Sequence, residues 1–150
     1  MDDGYATFIA ELEAGGFAAP AEGEWSAEQI AAHVARNHEA LIEVSEALLS
    51  DEPAAYSNHE PIRNDLLDTY ARTYGGLRGL ADRLAVTTIT LRELTARLEE
   101  YGLTEVPVLI RDGDETVVDE SIPWAKVLEI DATGHLARHL RQLRALRPAE

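Results

Sequence analysis

Apolar residues recur at helical spacing along most of the chain. Tyr5, Phe8, Ile9 and Leu12 share one face of a helix over 3–14, which Gly15-Gly16 ends. The segment Trp25-Ser26-Ala27-Glu28-Gln29-Ile30 is the clearest helix start. Ser26 suits the N-cap, Gln29 can close a capping box, and Trp25 and Ile30 occupy the hydrophobic-staple positions. This second helix is predicted to run to about Ser50, where Asp51, Glu52 and Pro53 stop it. A polar connection with Pro53, Asn58 and Pro61 follows over 51–64, then a helix over 65–74 interrupted by Gly75-Gly76.

Leu77, Leu80, Leu84, Thr88, Leu91, Leu94 and Leu98 hold the next helical period. Tyr101-Gly102 is predicted to end it, with Gly102 in a left-handed terminal conformation. The pattern then changes. Val106–Arg111 and Glu115–Asp119 are rich in Val and Ile and flank Asp112-Gly113, a hairpin signal. Pro107 lacks a backbone donor, which places the first strand at an edge. After Pro123-Trp124 a last helix is predicted from about Ala125 to Leu146, with Pro148 beyond it. The expected fold class is all-α: an antiparallel four-helix bundle with a small β-hairpin between the last two long helices, in a single domain over 1–150.

Composition narrows the function. Cysteine is absent from the 150 residues, which removes disulfides, thiolate metal sites and a cysteine nucleophile. Net charge is −15, from 28 acids and 13 bases, the wrong sign for a general nucleic-acid or anionic-membrane binder. No apolar run is long enough to span a bilayer, and the acidic start Met1-Asp2-Asp3-Gly4 is unlike a signal peptide. The expected location is cytoplasmic. Lys126 is the lone lysine. Arg138, Arg141, Arg144 and Arg147 form a basic run that reads as a solvated face near a helix C-terminus. Glu39 and Glu43 read as solvated face too. No glycine-rich phosphate loop is present.

The candidate chemistry lies in the histidines: His33, His38, His59, His135 and His139. His135 and His139 are four apart on the last helix, neighbours on one face, a spacing that suits two imidazoles on one metal ion. On a helical wheel the pair borders the apolar stripe of Ala132, Leu136 and Leu143, and His33 lies inside the stripe of Ile30, Leu41, Val44 and Leu48. Each observation alone also fits a core histidine or a half-exposed helix face. Together they place three imidazoles in one interior, which is costly without a metal or partners. Asp131, one turn before His135, can fix its tautomer, and Asn37, one turn after His33, falls inside the apolar arc. His38 is placed at the helix border and His59 in the loop. Trp25 and Trp124 read as staple and core residues, and Tyr5, Tyr70 and Tyr74 as candidates to line a pocket above the metal.

The stretch from Trp25 to Val34 resembles the opening of the second helix in the DinB-like superfamily, and Gly134 to Leu146, with its H-x-x-x-H-x-x-Q-L-R run, resembles the last helix of the same proteins. That superfamily includes metal-dependent thiol transferases and the N-terminal domain of mycothiol-dependent maleylpyruvate isomerase. The resemblance implies a four-helix bundle of up-down-down-up order, with a divalent ion, zinc or nickel, on His33, His135 and His139. Three neutral nitrogens leave a position open for a water or a thiol, whose pKa the ion would lower. The implied function is a metal-dependent S-transferase, isomerase or hydrolase acting on a small electrophile, with a low-molecular-weight thiol such as mycothiol as co-substrate. The alternative is a protein that binds and sequesters a small molecule in the bundle pocket. The expected partners are a small-molecule substrate and a second copy in a homodimer, with neither nucleic acid nor membrane.

Overall fold

A computed structural model describes residues 4–57, 63–112 and 115–148. His59, Asn58, Pro61 and the Gly113 of the hairpin turn lie outside the described residues. The helices are α1 (Gly4–Ala14), α2 (Ala27–Leu49), α3 (Asn64–Thr73), α4 (Gly76–Leu98), α5 (Trp124–Ile130) and α6 (Leu136–Ala145). The strands are β1 (Tyr56–Ser57), β2 (Glu105–Asp112) and β3 (Glu115–Pro123). Among the described residues no helix is long and apolar enough to cross a membrane.

The N-terminus of α2 forms as its sequence dictates. Ser26 Oγ accepts from the Gln29 backbone N–H at 3.1 Å, and Gln29 Oε1 accepts from the Ser26 N–H at 2.9 Å, closing the capping box. Gly75 and Gly76 both take positive φ, 85° and 82°, which breaks the helix between α3 and α4.

The all-α four-helix bundle with a hairpin is overturned by the sheet. β1, β2 and β3 form one three-stranded mixed sheet in that order. β2 pairs antiparallel with β3, as the sequence predicts, but also parallel with β1, Tyr56 opposite Val108 and Ser57 opposite Leu109. β2 is therefore the central strand, not an edge. Pro107 is tolerated because the two-residue pairing with β1 begins one residue after it. Val106 and Val108 turn inward at 1% and 2% exposure, so the sheet contributes to the core instead of projecting as an excursion.

Two helix ends also differ from expectation. α4 stops at Leu98 and tightens into a 3-10 segment over Glu99–Leu103, where Glu99, not Gly102, takes the positive φ. Gly102 is needed for a different reason: a Cβ there would lie 3.1 Å from the Ala125 Cβ. The expected single last helix is broken by one π-helical turn, Asp131–His135, between α5 and α6.

The apolar interior falls into two clusters. One joins α1, the first half of α2, α3, the first half of α4 and α6, around Phe8, Ile30, Leu67, Leu80 and Leu143. The other joins the second halves of α2 and α4 to the sheet and α5, around Leu41, Leu91, Val106 and Trp124. Between them lies a belt of buried polar residues: His33, Asn37, His38, Thr87, Thr88, Asp131 and His139.

Candidate metal centre

His33 rises from the first half of α2, His135 ends the π turn, and His139 lies on the first turn of α6. Their facing nitrogens converge: His33 Nε2 is 3.1 Å and His139 Nε2 2.9 Å from His135 Nε2. The three histidines lie close enough to hold a metal ion, each offering one ring nitrogen, all within 4.8 Å of one another. His33 and His139 are buried and His135 is half-exposed.

The tautomers follow from the neighbours. Asp131 holds a carboxylate, which only accepts, so His135 Nδ1–H donates to Asp131 Oδ1 at 2.9 Å. His139 Nδ1–H donates to the Gln142 carbonyl oxygen at 2.6 Å. With both rings neutral, as metal binding requires, the Nε2 atoms of His135 and His139 carry lone pairs that face each other at 2.9 Å. Two lone pairs at that distance repel unless a cation is shared. Nitrogens about 2.0–2.1 Å from one tetrahedral zinc stand about 3.3 Å apart, close to the spacing here. The donor set therefore fits a divalent ion.

The supporting contacts form a buried chain. Asn37 Nδ2 donates to Asp131 Oδ1 at 2.8 Å, the Tyr5 hydroxyl donates to Asp131 Oδ2, and the Tyr56 hydroxyl donates to Asn37 Oδ1. Burial pushes the Asp131 carboxyl up. The His135 hydrogen bond, the electrostatic influence of the His38 and His135 imidazoles and the Tyr5 hydrogen bond outweigh it and hold the group below its ordinary value. Burial, reinforced by His135, pushes His139 down to about 4. Burial also raises the Tyr56 hydroxyl, which keeps it protonated and a donor.

The cluster opens into a cleft of about 730 Å³, within the range of small-ligand sites. Trp25 stands over it, its ring 4.9 Å from that of His33 and 6.2 Å from that of His139, and its Nε1–H is held by Asn64 at 2.8 Å. Trp25 is thus a wall of the site as well as a helix-entry residue. Trp124 is core, fully buried, with its Nε1–H on Ser45 Oγ at 2.9 Å.

The sequence placed His33, His135, His139, Asn37 and Asp131 in one site, and the structure brings all five together. It does not place His38 at a helix border. That residue is fully buried, its Nδ1 3.0 Å from Thr87 Oγ1 and its ring edge-on to Tyr5, and its Nε2 has no hydrogen-bond partner among the described residues. Burial holds it below its ordinary pKa, hence neutral. Tyr70 and Tyr74 do not line the cleft; they pack on each other, rings 4.6 Å apart. Nor is Glu39 a solvated face residue: it accepts from Tyr70, Arg36 and Arg83 at 2.6, 3.1 and 2.9 Å. Tyr56 and Gln142 were not foreseen. Gln142 follows His139 by three residues, a helical neighbour that spacing alone could have found. Tyr56 lies in a polar connection that carries no periodic signal. Compared with known proteins, the chain matches no family model, no curated protein and no solved structure.

Proposed function

We propose that the chain is a metal-dependent enzyme of the DinB-like superfamily. It acts in the cytoplasm on a small electrophilic molecule, by thiol-dependent transfer or isomerisation or by hydrolysis. His33, His135 and His139 would hold the divalent ion, zinc or nickel. The observation that carries this reading is the convergence of three imidazole nitrogens at the floor of an open cleft, two of them with their other ring nitrogen already engaged. A cation held by these three nitrogens would supply a Lewis acid for a water or a thiol.

The chain's own residues do the rest. Asp131 fixes the ring of His135 and the direction of its lone pair, and Gln142 does the same for His139. Asn37, held by Tyr56, and Tyr5 fix Asp131. Trp25 packs its ring against His33 and His139 on one side of the cluster.

The test is elemental mass spectrometry on untagged protein purified without added metal, beside a His33→Ala control. About one divalent ion per chain, lost in the control, is expected. Protein that carries no metal and takes up neither zinc nor nickel on titration would sink the reading. Metal binding without turnover of any thiol and electrophile pair would turn it from catalysis to sequestration.

A further inference from the structure

Of the basic run on the last helix, Arg138 is the member that lines the cleft. Arg144 and Arg147 turn to Glu11, at 3.9 and 2.7 Å. Arg138, like Arg141, has no ion pair among the described residues, although the chain carries 28 acids. Arg138 lies one residue from His139 on the wall of the cleft. Arg111, from β2, lines the same cleft. Glu24 is the one exposed acid on that lining. The field of a chain at −15 repels anions, so a cation left unpaired at the mouth of a metal site is a local exception to the surface around it.

A second feature coincides with it. Five large apolar residues are exposed among the described residues, and two of them, Val117 at 60% and Ile130 at 47%, line this cleft. Ile110 and Val127 continue the apolar wall. The cleft thus offers converging imidazole nitrogens, apolar surface along its side and the Arg138 guanidinium at its lining. From this juxtaposition we infer that the ligand is an amphiphilic anion: an apolar body against Val117 and Ile130, with a carboxylate or similar anionic group drawn to Arg138. The inference rests on the metal reading above and adds the class of molecule. Guanidinium pairs well with such groups because it is planar, always charged and able to donate two parallel hydrogen bonds.

Two aromatic thiols that differ only in charge test it. The protein is loaded with cobalt(II) and titrated with 4-mercaptobenzoate or 4-mercaptobenzamide, following the visible cobalt spectrum. The expected result is about tenfold tighter binding of the benzoate, a preference that falls toward one in Arg138→Gln and is kept in part in Arg138→Lys. Arg138 is exposed, so the substitutions leave the fold intact. Equal affinity for the two thiols in the unmodified protein overturns the anion proposal and leaves the metal reading standing. A preference unchanged in Arg138→Gln overturns the role of Arg138. A protein that takes up no cobalt at all overturns the metal reading and the inference with it.

Discussion

The two segments that build the candidate metal centre are made differently. α2 is an unbroken helix of 23 residues with a complete capping box, and it contributes His33 and Asn37 from a regular apolar stripe. The stretch from Trp124 to Ala145 has almost the same length but is divided into α5, a π turn and α6. The reason lies in its sequence. Trp124, Val127, Leu128 and Asp131 are buried on one face. In an uninterrupted helix that face continues through His135, Arg138 and Gln142, which would drive a guanidinium into the core. The extra residue of the π turn moves the inward face to Leu136, His139 and Leu143 instead, all buried, and leaves Arg138 exposed. One segment supplies a rigid base and the other a registered offset. The offset sets Asp131 against His135 while His139 still faces inward.

Removing the offset is the most severe way to break this contrast. Deletion of the exposed Thr133 restores a continuous helical register and turns Leu136, His139 and Leu143 away from the core. Two displaced leucines at about 2–5 kcal/mol each predict a loss of at least about 4 kcal/mol and no stoichiometric metal binding. Urea unfolding and a zinc titration check both.

The next effect follows from His139. In metal-free protein its folded pKa is about 4. The unfolded chain takes up this proton near pH 6.5, so between about 6.5 and 4 the unfolded state binds more protons. Stability is therefore full above about pH 6.5 and is lost as pH falls toward 4, by up to about 3 kcal/mol. Buried neutral His38 acts in the same direction. Urea midpoints measured with a chelator at pH 7 and 4.5 read the slope. A flat profile over that window would show that His139 accepts its proton in the folded state.

Asp131→Asn sharpens the comparison. It leaves the helices in place but weakens the acceptor for His135 Nδ1–H. Metal affinity is expected to fall about 10–100-fold, read by competition with a chromophoric chelator. The smallest effect belongs to α2. Ser26→Ala removes one half of the capping box and costs about 1 kcal/mol, with metal affinity unchanged once the protein is folded. A matching loss of metal affinity would mean that the α2 terminus also sets the position of His33.

Much of this molecule is legible in its amino-acid order because the signals are local. The start of α2 follows from Ser26 and Gln29, the break between α3 and α4 from Gly75 and Gly76, and the hairpin from two Val- and Ile-rich runs around a turn. The three converging histidines could be read in the same way, because helical periodicity fixes which residues of one helix share a face. Periodicity then misled at two places. It carried the last helix straight through Asp131–His135, and it found no strand at Tyr56–Ser57. A two-residue strand has no alternation to detect; it exists because β2 is beside it and Tyr56 can close on Asn37.

The sequence by itself determined the kinds of groups available and the faces on which local helices would carry them. Tertiary structure alone decided that β2 is central, that Tyr5 and Tyr56 reach the Asp131 network across 126 and, through Asn37, 19 residues of chain, and that the last helix accepts an irregular turn. The physical reason is the same in each case. A buried polar group must find its partner wherever the fold supplies one, and a helix yields its regular hydrogen bonding when that keeps a charged residue out of the core.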